Sequence, residues 1–305
     1  MTAIDWEGLA EAVNAIGGAA MRTEGGLAVR SEGRFQGQIR ARPAPKAEGG
    51  LTPVAVLVAE TAVPAARVPG LAAAGASRRA APALNRCAGA AAAMPDGGDL
   101  RFAARVTLFA DDEDSWALHR TLLAYAAVWG ATTALAGAER LATGRPPNAT
   151  GASAWTAEDL AEARAALPAH LATMLDPPSP HAITANVPLG QHRPPARLEV
   201  RADMAHPLHG PGLFASVGLP IRFRDEAALA DTLAALNALE AEPIDAPPHY
   251  GAWAPDPAGR AAYVFFLPNG VKLPLAQNLV GWFALRARLA AAALSGGAPT
   301  TPSGS

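Results

Sequence analysis

Two histidines three residues apart, His206 and His209 in the run HPLHG, come nearest in type and spacing to a chemical site. Such a pair can hold a divalent cation when a third ligand arrives from elsewhere, and Asp203, His192 and His249 are the available donors. Pro207 and Gly210 favour a turn over the helical face that would fix the pair, so the imidazoles are expected to cap backbone groups or face solvent. No metal and no cofactor is expected. A second cluster, PPHYGAW, brings His249, Tyr250 and Trp253 together just after Asp245. Amphipathic aromatics combine contact area with a polar handle, which suits a binding cleft. The alternative is a loop packed over a sheet by its own rings. Asn85 and Asn237 hold matching positions on two amphipathic segments. An amide there either reads a peptide backbone in a groove or satisfies neighbouring backbone groups. Changing His206, His209 and Trp253 together is expected to abolish partner binding and leave the fold intact.

The remaining reactive residues point away from catalysis. Cys87 is the single cysteine, so no intramolecular disulfide can form, and a reducing, cytoplasmic setting is the simplest reading. Beyond Arg86 nothing nearby would activate its thiol. The acidic run Asp111–Asp114 lacks the glycine and the final glutamate of a calcium loop and fits the start of a helix, where the macrodipole favours acids. The chain has no nucleophile elbow, no phosphate-binding loop and no dinucleotide fingerprint after a strand. We expect no catalytic residues.

Composition narrows the partners. Twenty-five basic against 27 acidic side chains leave a net charge of −2, and no basic run exceeds two residues, so nucleic acid is not the expected partner. The amphipathic, acidic N-terminus is unlike a signal peptide. The apolar closing helix carries Arg286 and Arg288, which are costly in mid-bilayer, so no membrane association is expected.

Helices are expected over Ile4–Ile16, from Pro82 to about Ala93, from Asp111 onward, after the Thr156–Asp159 capping pair, over 225–242, and over 273–294 with Leu275, Leu279, Trp282, Leu285 and Leu289 buried. Strands are expected over 27–30, 34–40, 52–62, 100–109, 181–189, 197–204, 213–223, 252–253 and 260–268. Pro220 inside one of them argues for an edge or a bulge. The run GRPPNATGAS, 144–153, is the clearest linker.

The order of elements on the two sides of that linker is similar. Leu84–Asn85 aligns with Leu236–Asn237, Val106–Phe109 with Val264–Leu267, Tyr125 with Phe283, and Cys87 with Leu239. The chain therefore reads as an α+β protein of two tandem αβββαββα modules, residues 1–143 and 154–294, followed by a disordered tail at 295–305. Each antiparallel sheet is covered by helices, and the modules pack as a pseudo-dimer within one, monomeric, chain. With the patches HPLHGPGLFASVGLPIRF and LPNGVKLPLAQNLVGWFALRARL, this order resembles the fold of type III secretion chaperones and the related bacterial YbjN-like proteins. The resemblance implies a non-catalytic module that binds another polypeptide, as a chaperone or adaptor. The first module has no counterpart of HPLHG or PPHYGAW, so binding is placed at His206, His209, Asn237, His249, Tyr250 and Trp253. The competing reading is an enzyme or a ligand- or metal-binding protein with a His-lined site in the cleft between modules.

Overall fold

Asp5 starts the first helix, α1 (Trp6–Ala15), its carboxylate accepting the Gly8 N–H at 2.9 Å. In this computed structural model residues 4–31, 35–44, 53–68, 76–109, 113–242 and 247–295 are described. Four strands follow α1: β1 (Gly18–Thr23), β2 (Gly26–Ser31), β3 (Phe35–Arg42) and β4 (Pro53–Val63). Then come α2 (Ala76–Asn85), β5 (Ala92–Asp96), β6 (Asp99–Phe109) and the 31-residue α3 (Glu113–Thr143). The C-terminal half runs α4 (Ala157–Ala165), α5 (Ala169–Ala172), β7 (Ala182–Val187), β8 (Ala196–Arg201), β9 (Ala205–His206), β10 (Gly210–Gly218), α6 (Glu226–Ala241), β11 (Ala252–Pro255), β12 (Ala261–Pro268) and α7 (Ala276–Ala293).

The protein is thus mixed α+β, with seven helices and two antiparallel sheets of six strands each among the described residues. The first sheet has the order β1-β2-β3-β4-β6-β5. The second is β7-β8-β10-β12-β11, with β9 pairing β10 off that path. α3 packs across β2, β3, β4 and β6, and α1 packs on α3; α7 and α4 cover the second sheet. α2 and α6 meet between the halves. Each lies on its own edge strand and also on the edge strand of the other half.

Several expectations are corrected. The αβββαββα order implies five strands per half, but only four were placed in the first; β1 and β5 there, and β9 in the second half, bring each sheet to six, and β1 was hidden because Gly17 and Gly18 read only as a helix stop. The second helix ends at Asn85, with Pro82 inside it, and the alanines beyond enter β5 because strand pairing overrides their helical propensity. Cys87 accordingly lies past α2 and is buried, whereas Leu239 lies inside α6 and is 45% exposed, so the two are not equivalent. β10 is a central strand and stops at Gly218, before Pro220, whose missing N–H therefore removes no ladder bond. The buried face of α7 runs through Leu279, Phe283, Arg286 and Ala290; Trp282, Leu285 and Leu289 are only half-buried. Asp111, Asp112, Asp245 and residues 296–305 of the tail lie outside the described residues.

The Thr156–Asp159 pair forms the expected capping box at α4. One helical stretch, Ser115–Thr143 in α3, is long and apolar enough to cross a membrane by length and composition, and 67% of its most apolar window is buried in this fold. The closing helix, α7, is not that stretch.

The 144–153 segment is pinned to the second sheet. Asn148 N–H donates to Leu208 C=O at 3.1 Å, and the Ser153 hydroxyl to Gly212 C=O at 3.2 Å. Gly210 permits this approach: its φ is +72°, and a Cβ there would sit 2.1 Å from the Ala149 oxygen. Gly210→Val is expected to destabilise the protein by roughly 2 kcal/mol or more, read as a lowered urea midpoint at constant slope, because a β-branched residue resists both the left-handed backbone and the clash. A midpoint equal to wild type would show that the segment peels away at no cost.

Candidate functional site

HPLHG forms the short strand β9 and a tight turn into β10, seated on α3. His206 is 5% exposed. Its Nε2–H donates to the Cys87 carbonyl at 3.0 Å, and its Nδ1 accepts the Leu208 N–H at 3.1 Å, so both nitrogens are used and one neutral tautomer is selected. The ring stacks on Phe266, 4.8 Å between centroids. It reaches α3 where Gly137 has no side chain; a Cβ there would lie 2.8 Å from His206 Cε1. Burial pushes the His206 pKa down to about 4. His209 is half-buried, with Nε2 2.9 Å from Thr133 Oγ1, and burial together with the neighbouring His206 also holds it at about 4. Both imidazoles are neutral near pH 7.

The third ligand does not arrive. Asp203 is engaged by Arg201 at 2.7 and 2.9 Å, and His192 stands in an exposed turn with φ +65°. His249 belongs to a different cluster. Among the described residues no three or more His, Cys, Asp or Glu side chains are grouped to hold a metal ion.

That second cluster corrects the reading of PPHYGAW as an open binding loop. His249 is fully buried, Tyr250 is 1% exposed and Trp253 is fully buried. At their centre is a residue that the sequence reading passed over, Glu240 near the end of α6. Glu240 Oε1 accepts the Trp253 indole N–H at 2.7 Å, and both its oxygens accept Arg286 Nε–H, at 2.9 and 2.7 Å. His249 Nδ1 lies 3.3 Å from Oε2. The Arg286 guanidinium stacks on the Tyr263 ring at 3.9 Å and donates to the Pro248 carbonyl at 2.7 Å. Arg105, fully buried in β6, donates to the carbonyls of Glu240 (2.8 Å) and Pro247 (3.1 Å). Burial alone would raise the Glu240 pKa, but the Arg286 charge and the hydrogen bonds from His249 and Arg286 outweigh it and hold the carboxyl at about 2. Burial lowers Arg105 to about 10, which leaves it charged. Tyr250 packs across the junction, its ring 6.0 Å from His119 of α3. The cluster is thus a sealed ionic network joining the halves. It presents nothing to a partner, so His249, Tyr250 and Trp253 are structural, and removing Trp253 would damage the core instead of sparing the fold.

Asn237 is also structural. Its amide N–H donates to the Trp253 carbonyl at 2.9 Å and its Oδ1 accepts the Trp253 N–H at 2.8 Å. Asn85 does the same to Ala93, at 3.0 and 2.7 Å. Each asparagine latches a helix to the next edge strand and is buried, at 2% and 1% exposure for Asn85 and Asn237.

Ladder register extends this correspondence. Ala93 pairs with Phe102 and Trp253 with Tyr263, so Arg105 and Phe266 occupy like places three residues on. Each receives the other half: Arg105 N–H and C=O bridge to His249 at 3.0 and 2.7 Å, and Phe266 N–H donates to Gly89 C=O at 3.3 Å. Gly89 and His249 each stand four residues before the latched position. Matching Val106–Phe109 with Val264–Leu267 is therefore three residues out of register. Apolar β-runs look alike at several offsets, and the loops before them differ in length.

Of the six expected site residues, His209 lines an open cleft, with Trp129 and Tyr125 of α3 beside it. Arg286 carried a usable signal, being a charge on an apolar stripe; Arg105 and Glu240 carried none that separates them from surface charges. No protein-family model, curated protein or solved structure matches this chain.

Proposed function

We propose that the chain is a non-catalytic polypeptide-binding module of chaperone or adaptor type, working in the cytoplasm and built from two tandem copies of an αβ unit that pack as an internal pseudo-dimer. The shared strand order, β2-β3-β4-β6-β5 against β7-β8-β10-β12-β11, supports the duplication. So do the twin asparagine latches and the reciprocal bridges at Arg105 and Phe266.

The observation that carries the binding reading is the outer edge of β1. Among the described residues β1 pairs only with β2. Its Ala20 N–H points away from β2, to Asn14 Oδ1 at 3.2 Å, so by alternation the Gly18 and Arg22 amides face outward too. Met21 is 66% exposed on this strand. The corresponding outer strand of the second sheet, β7, is covered by its own chain: Asp176 N–H donates to Thr184 C=O, and Asn186 N–H to Met174 C=O. An extended partner segment can add to β1 by main-chain hydrogen bonds, with an apolar side chain against Met21.

Affinity purification from the native cell, followed by calorimetry with the segment recovered, tests this. Met21→Lys and Ala20→Pro are each expected to weaken that segment's binding by about tenfold or more, while stability changes by about 0.5 kcal/mol or less for the exposed methionine. Equal binding by both variants would sink the edge as the site.

A further inference from the structure

A cleft of about 580 Å³ opens between the halves beside the His209 turn, a volume in the range of small-molecule pockets. Ile16, Trp129 and Ala136 wall it from one half, Leu208 and Val271 from the other. Its polar groups are few and ordered. The Tyr125 hydroxyl is 3.5 Å from Thr133 Oγ1, which is 2.9 Å from His209 Nε2. Tyr125 is 1% exposed, burial raises its pKa, and Thr133 is its one hydrogen-bond partner among the described residues, so the order that leaves no buried proton unsatisfied has Tyr125 donating to Thr133. The Thr133 proton then goes to His209 Nε2. That order leaves the imidazole proton on Nδ1, which no described protein group accepts and which is not sealed from solvent. Thr132, on the same wall, has a buried hydroxyl with no hydrogen-bond partner among the described residues.

We propose that this cleft binds a neutral small molecule with a planar apolar body and one carbonyl acceptor, the body lying against Trp129 and the carbonyl taking the His209 Nδ1–H. A charged ligand fits poorly: among the described residues the groups lining the cleft include no cation, and an unpaired buried charge is costly. Ile16 and Ser31 bring this site beside the Gly18 end of β1, but it uses none of that strand's outward amides and does not rest on the polypeptide reading.

The probe is prodan, a neutral naphthyl ketone whose emission shifts to the blue in apolar surroundings. Titrated into the full chain, it is expected to give one saturable, blue-shifted site. Ala136→Trp and Val271→Trp, which fill the cleft from opposite walls, are each expected to abolish it. His209→Phe, which keeps the ring and removes the donor, is expected to weaken it by about threefold to tenfold. Circular dichroism identifies any variant that has lost its fold, and two filling variants on separate elements keep the test decisive. Non-saturable binding by wild type, or undiminished binding by a folded filling variant, overturns the proposal. Loss in both filling variants with no change in His209→Phe overturns the role of the histidine. The β1 variants Met21→Lys and Ala20→Pro are expected to bind prodan as wild type does, which separates this proposal from the polypeptide reading.

Discussion

Glu240→Ala is expected to destabilise the protein by about 3–5 kcal/mol, a large share of the roughly 5–15 kcal/mol that holds a typical fold together. The loss comes from what remains. Arg286 would stay 1% exposed without its counter-ion, the Trp253 indole N–H without its acceptor, and His249 without the carboxylate 3.3 Å away. Urea unfolding followed by tryptophan fluorescence measures the change. The pair Glu240→Leu with Arg286→Met is expected to recover much of the loss, since a buried ion pair gains little over well-packed apolar side chains once both charges are gone. A single-variant loss below about 1 kcal/mol would mean that the network is relaxed or hydrated, not sealed.

Acid is expected to unfold the protein from an unusually high pH. His206 and His209 are held at about 4, and His249 is also lowered by burial. Each is a base whose folded value lies below its ordinary value, so it binds its proton more readily in the unfolded chain. The stability they contribute is complete above the unfolded value near 6.5 and is lost as pH falls from there to about 4. For His206 and His209 that loss is about 3 kcal/mol each, so with both titrating the slope approaches about 3 kcal/mol per pH unit, and His249 acts in the same direction. Glu240 adds a second window: a carboxyl held at about 2 contributes stability above its ordinary value of 4.5 and loses it below. Urea midpoints between pH 7.5 and 4 check this. His206→Gln, which keeps a donor for the Cys87 carbonyl, is expected to flatten the profile by one proton. A flat profile in wild type would mean that the imidazoles are solvated.

Much of the fold is legible in the chain because its cues are local. Asp5, Thr156 with Asp159, and Asp225 each cap the helix that follows, and nearly every expected strand is present. Failures fall where the cue is ambiguous without a partner. The alanines after Cys87 suit helix or strand, and β10 decided its own end against Pro220. The stripe on α7 was drawn through leucines and tryptophan and left out Arg286, a charge among apolar residues; it lies on the buried face because Glu240, forty-six residues away, neutralises it.

For the candidate site the division is sharper. Sequence alone determined the α+β class and the start of α4, which the Thr156–Asp159 box defines. It also determined that His206 and His209 would sit in a turn. Only the tertiary structure decided which of those residues face a cleft. It withdrew His249, Tyr250, Trp253 and Asn237 into the interior, locked His206 between two backbone groups, and left His209 beside Trp129. The reason is physical: a polar side chain looks the same in sequence whether its partner is water or a buried carboxylate, and that choice is made by chain segments distant in sequence.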